Sequence, residues 1–235
     1  MATPQLPENI KEIGEEEVFC FNCHPGVPCF TDCCRQLELA LTPYDVLGLR
    51  RQLGINSRDF LHHYTLIEWQ EGDVFPGVYL GMVDDGQASC PFVSTRGCAV
   101  YQGRPAACRT YPLGRAAFRQ PDGGLGSFHV VIREEHCLGF QEATEQTIAS
   151  WTQGQGLHAY NRMNDAMFTI LHSPEVAQGF LPSPEQRHLF IDTLYDLDAF
   201  RASGRVNQCH ELDDEDLLLA AISWLRIQLF GFFKP

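Results

Sequence analysis

Five cysteines fall within fifteen residues, in the stretch Cys20-Phe21-Asn22-Cys23-His24-Pro25-Gly26-Val27-Pro28-Cys29-Phe30-Thr31-Asp32-Cys33-Cys34. A second group follows far down the chain, at Cys90, Cys98, Cys108 and Cys137, and Cys209 stands apart. Two cysteines separated by two residues, as Cys20 and Cys23 are, can turn both sulfurs toward one point, which is why this spacing recurs in zinc and iron–sulfur sites. Nine of the ten cysteines lie in the first 137 residues and one in the remaining 98. Scattered core packing does not produce that distribution; metal–thiolate chemistry does. Cys209, alone in a helical stretch, reads instead as a small buried hydrophobe.

The vicinal pair Cys33-Cys34 narrows the chemistry. Neighbouring side chains point to opposite faces of an extended segment and diverge by about 100° in a helix. Two adjacent sulfurs therefore fit one small tetrahedral ion poorly, and fit two metals or different irons of a cluster better. Eight or nine thiols also exceed the four that a single tetrahedral site uses. The alternatives are an iron–sulfur cluster, of the 4Fe-4S type, with cysteines to spare, or two zinc sites. Such a centre carries excess negative charge, which arginine side chains and backbone N–H groups stabilise. Arg35, Arg96 and Arg109 each stand within two residues of a cysteine and, with Arg104, are expected to serve the sulfurs in this way. Cys29 stands between a ligand and a packing residue. His24 and His136 adjoin cysteines, where a histidine is more often a hydrogen-bonding neighbour than a ligand.

The composition suits this reading. At 235 residues the chain can bury a sizeable core without covalent staples. Ten cysteines are well below the roughly 8–10% of a small secreted disulfide scaffold. The start, MATPQLPENIKEIGEEE, has neither the basic residues nor the apolar run of a signal peptide. The expected compartment is the reducing cytoplasm, where clustered thiols hold metal or do redox chemistry. A formal net charge of −13 argues against nucleic acid as the main partner, leaving a metal ion or cluster and a protein substrate as the partners to consider.

The elements around the cysteines suggest an α+β protein: a cysteine-rich loop region with a small antiparallel sheet, followed by a helical C-terminal half. Residues 1–17 read as a flexible lead-in, 18–140 as the metal-binding domain, and 141–235 as a helical region packed on it. Pro25, Gly26 and Pro28 make 18–34 a loop. Thr42-Pro43 and Gly54 bracket a helix, and Ser57 is the expected cap of a second. Gly77–Val83, Ala99–Gln102 and Phe128–Arg133 are β-prone. Asp122-Gly123-Gly124 reads as the turn of a hairpin between 116–120 and 127–133, with Cys90, Cys98 and Cys108 in loops beside the sheet. Helices are expected over 142–152, 156–172, 184–200 and 213–230. The last of these, with its apolar run Leu217–Phe233, approaches the length of a membrane span. Arg226 in its middle makes a buried core or interface helix the better reading, so no membrane span is expected.

The cysteine pattern also carries a resemblance. The first group looks like an expanded form of the C-x-x-C…C-C signature of the zinc- or iron-chelating cysteine-cluster family (the YkgJ type). The run Cys90-Pro91-Phe92 to Cys98, then Tyr101, Arg104-Pro105, Cys108-Arg109-Thr110-Tyr111-Pro112, is similar to that family's C-P-F…C…Y…R-P…C-R-x-x-P pattern. The resemblance covers about residues 18–140. It implies ligation by Cys20, Cys23, Cys33, Cys34, Cys90, Cys98, Cys108 and Cys137, the insertion containing Cys29 being this chain's departure. The family also includes flagellin lysine N-methylases, which implies an alternative: methyl transfer from S-adenosylmethionine to a protein lysine. Gly123-Gly124-Leu125-Gly126 and Gly154-Gln155-Gly156 lack the strand–turn–helix context of a nucleotide site. A thiol–disulfide role is the least favoured, since Cys20–Cys23 runs into proline and glycine instead of opening a helix.

Overall fold

The computed structural model describes residues 6–231. Short antiparallel strands crowd the first half of the chain and helices fill the second, so the α+β class expected from the sequence is the class observed. The chain divides into two compact units, each assembled from separated segments. One takes the residues up to Leu37, Val83–Ala99 and Ala106–Ala159; the other takes Glu38–Met82, Val100–Pro105 and the residues from Tyr160 onward.

The first unit is built on a β-hairpin. Strands Leu113–Arg119 and Leu125–Ile132 pair in the register Leu113↔Val131 to Arg119↔Leu125. Their turn works because Gly123 takes φ 86° and the Gly124 N–H is held by the Asp122 carboxylate at 2.8 Å. A third strand, Ile10–Ile13, pairs with the far edge of Leu125–Ile132; it lies inside the stretch read as a lead-in. The hairpin returns its two ends to one place. The Ile132 N–H donates to Pro112 O at 2.8 Å, so whatever precedes residue 112 lies beside whatever follows residue 132. Tyr111 on one side and Cys137 on the other meet in this way.

Several elements differ from the sequence expectation. Cys108 sits in the short helix Ala106–Thr110 and Cys98 in the strand Gly97–Cys98, not in loops. The loop 18–34 contains the two-residue strand Phe19–Cys20 and a single 3-10 turn, Asp32–Cys34. The region 99–102 passes into a 3-10 turn, Tyr101–Gly103. The expected helix 142–152 begins only at Ile148, where Thr147 and Ser150 form a capping box; Glu145–Gln146 before it pairs with Phe19–Cys20.

The second unit is helical apart from the hairpin Thr65–Glu68 with Gly77–Leu80. Pro43–Leu53 starts on a Thr42/Asp45 capping box and stops at Gly54, φ 68°, as the sequence suggests. The next helix, Ser57–Tyr64, is capped by Asn56 and not by Ser57. Ser57 is instead fully buried, its hydroxyl bonded to Asp196. The same Asp196 caps Leu197–Ala202, and so the helix expected over 184–200 breaks in two after Pro184–Leu194. Asp214–Phe230 buries Leu217, Leu218, Ala221, Ile222, Leu225 and Leu229 along one face, as a core helix does. It ends at Gly231; Phe232 and Phe233 lie outside the described residues. Among the described residues no helix is long and apolar enough to cross a membrane.

Charge locks this unit. Asp214 is held by Arg50 at 2.8 Å, Arg51 at 2.9 Å and Arg201 at 2.7 Å. Burial alone would raise its carboxyl; Arg50 and then the other two arginines outweigh burial and hold it below the usual carboxylate range. A depressed acid stabilises the fold above the unfolded carboxylate range, near pH 4, and loses that contribution as pH falls through the lower folded value. Asp214→Asn is therefore expected to cost about 2–3 kcal/mol at pH 7, leaving Arg51 and Arg201 short of a counter-charge while Arg50 keeps Asp198 at 3.5 Å. Urea denaturation should show this difference shrinking below pH 4.

Candidate metal centre

Backbone contacts within the first unit bring the two cysteine groups together. The Cys90 N–H donates to Cys34 O at 2.8 Å, and Gln36 N to Ala88 O at 3.0 Å, tying the vicinal pair to the start of the second group. The tight hairpin Val93–Cys98 follows, its Gly97 at φ 106°. A Cβ on Gly97 would lie 3.0 Å from the Phe30 ring, so the first loop packs directly over the turn beside Cys98. At the other end, Asn22 N donates to Gly139 O at 3.1 Å and Leu138 N to the Cys29 sulfur at 3.1 Å. Phe21, 2% exposed, is the wedge beneath these contacts, meeting Phe140, Trp151 and Tyr111 edge-on at 5.0, 5.5 and 5.8 Å.

The sulfurs sense one another. Cys33 takes a hydrogen bond from the Cys34 thiol and is pushed down to about 7. Cys34 is pushed up, first by giving that bond, then by burial and by charge on Cys33, Cys90 and Cys108. Burial raises Cys90, with Cys98 and Cys33 adding to it, and burial raises Cys137, with Cys29 and Cys33 adding. Cys33 is common to all three neighbourhoods. The contact within the vicinal pair corrects the expectation that its side chains diverge: the 3-10 turn over Asp32–Cys34 lets one thiol reach the other. No disulfide joins the ten cysteines. Among the described residues no three His, Cys, Asp or Glu side chains are gathered about one point so as to hold an ion. The donor chemistry nonetheless fits a soft metal, since sulfurs that resist ionising beside one another are what a cation relieves.

A family model described as "Putative zinc- or iron-chelating domain", and named for the pattern CxxCxxCC, matches residues 22–145, more than half of the chain. The chain belongs to the CxxCxxCC family. No curated protein and no solved structure matches it.

The match starts at residue 22, so it takes in eight of the cysteines and leaves out Cys20 as well as Cys209. Cys20 is exposed on the strand Phe19–Cys20, facing Glu145 across the pairing, and Cys23 is exposed in the loop after it. Cys33 and Cys108 are also exposed, and Cys34, Cys90, Cys98 and Cys137 half-buried. Of the arginines, Arg35 donates to Thr31 O at 2.8 Å and pairs its backbone with Ser89. Arg109 is buried and donates to Gln155 O at 2.9 Å. Arg96 is exposed in the turn before Gly97, its N–H on the Ser94 hydroxyl. Arg104 belongs to the second unit, where its guanidinium lies 3.7 Å from the centre of the Tyr101 ring. His24 lies 3.3 Å from Glu142, and His136 lies 3.5 Å from Glu134. Cys209 is buried, its thiol on Arg201 O at 3.2 Å, as a packing cysteine should be.

Two contacts beside these cysteines lay beyond sequence reasoning. Cys29 was legible from its position inside the first loop; its tie to Leu138 was not, because 109 residues separate them. Tyr111 lies three residues after Cys108, one helical turn on, with Cys137 as its side-chain partner.

The approach of Asn22 to Gly139 requires a residue without a side chain. A Cβ at Gly139 would lie 2.6 Å from the Phe21 ring and 2.8 Å from Asn22 O. Gly139→Ala is expected to destabilise the protein by about 1–3 kcal/mol through this overpacking, read as a lower urea midpoint at unchanged slope.

Proposed function

We propose that this CxxCxxCC protein holds a polynuclear metal centre, an iron–sulfur cluster in preference to a pair of zinc ions, on thiolates from both cysteine groups. The observation that carries the reading is that, within one unit, Cys34, Cys90 and Cys137 each feel charge on Cys33, while Cys108 acts on Cys34, Cys98 on Cys90 and Cys29 on Cys137. Seven sulfurs exceed the four of a single tetrahedral ion. Cys20 and Cys23 join them in the proposed ligand set on the strength of their C-x-x-C spacing. The metal-binding domain is proposed as 18–140. Arg35 and Arg109 are the arginines of this unit best placed in sequence to offset thiolate charge. Bound metal would supply the positive charge that these sulfurs lack, and with iron a site for one-electron transfer.

The methyl-transfer alternative gains no support. Gly123 and Gly124 serve the hairpin turn, and Gly156, φ 65°, serves a junction between helices.

Anaerobic purification followed by metal and acid-labile sulfide analysis tests the reading. Iron with sulfide and broad visible absorption is expected; a colourless protein with about two zinc ions per chain would replace the cluster with paired zinc sites. A reduced chain that binds neither metal sinks the proposal. Cys34→Ser should lower metal affinity by about tenfold or more, and Cys209→Ser should leave metal content unchanged.

A further inference from the structure

Tyr111 is held on every side. Its ring stands at 77° to Phe21, its N–H donates to Ala107 O at 3.2 Å, and Trp151 Nε1 fixes the preceding carbonyl, Thr110 O, at 3.0 Å. The hydroxyl oxygen is wholly buried and closes no hydrogen bond of good geometry. The polar groups beside it are the Cys137 sulfur and Glu134. A buried hydroxyl whose acceptor is a neutral thiol is poorly satisfied, because a thiol accepts weakly. A metal-bound thiolate is a strong one. The neighbouring sulfur follows the same pattern, since Cys29 already receives the Leu138 N–H at 3.1 Å.

We propose that Tyr111 is a positioning residue for the metal centre, its O–H donating to the Cys137 sulfur when Cys137 serves as a ligand. This rests on the metal reading above and adds to it a residue that binds no metal. A donor on a ligating sulfur draws off charge, which lowers that sulfur's reactivity toward electrophiles and raises the potential of a cluster it holds. The hydroxyl thus sets how well Cys137 is protected, while Phe21 and Trp151 set where it points.

The test compares metal-loaded wild type, Tyr111→Phe, and protein with 3-fluorotyrosine placed at position 111, a stronger donor of nearly the same shape. Each is exposed to iodoacetamide, and alkylation of every cysteine is followed by mass mapping. Tyr111→Phe should keep its metal and alkylate at Cys137 about tenfold faster, with Cys90 and Cys108 unchanged; 3-fluorotyrosine should slow Cys137 below wild type. A Cys137 rate unmoved by Tyr111→Phe at full metal content overturns the proposal. So does a rise shared by Cys90 and Cys108, which marks general loosening. Should Tyr111→Phe fail to fold, the 3-fluorotyrosine protein decides, and a Cys137 rate equal to wild type overturns the proposal. Wild-type metal content is measured first; a wild type that takes up no metal defeats the metal reading and not the role of Tyr111 within it.

Discussion

Thiols near enough to feel one another's charge cannot all ionise unless a cation shares it. The Cys34 thiol, donating to Cys33, pushes it down, and giving that bond pushes Cys34 up; burial, with charge on Cys33 adding to it, pushes up Cys90 and Cys137. The geometry of the first unit therefore creates a demand for positive charge that its own side chains meet only in part.

What brings them together is mostly backbone. Cys34 and Cys90 are joined through main-chain atoms, Cys29 meets the amide that follows Cys137, and the hairpin from Leu113 to Ile132 returns the chain after Ile132 to Pro112. Main-chain contacts of this kind do not depend on whether the thiols are ionised. The aromatic wedge of Phe21, Phe140, Trp151 and Tyr111 makes the same unit rigid on the side where Gly139 leaves room for it.

The second unit solves a different problem with different means. Its core is apolar helix faces, and its specificity comes from Asp214 gripped by three arginines and from Ser57 bridging to Asp196. Arg104 was legible as part of the cysteine motif, yet its guanidinium stacks on Tyr101 within this unit. Adjacency in sequence to a cysteine does not determine which unit a side chain joins, because residues 100–105 leave one unit for the other and return.

The sequence by itself determined the chemistry and the class. Cysteine identity and spacing pointed to the metal-chelating family, Thr42-Pro43 and Gly54 fixed a helix through local capping, and Asp122-Gly123-Gly124 fixed a turn, all signals readable within short stretches. Only the tertiary structure decided that Leu138 donates to Cys29, that Tyr111 meets Cys137, that Ser57 is spent on Asp196 while Asn56 caps its helix, and that residues 10–13 join the sheet. The physical reason is separation along the chain. A cap or a turn is closed by neighbours a sequence displays side by side, whereas a contact between residues 29 and 138 exists only once the hairpin between them has formed and carried one to the other.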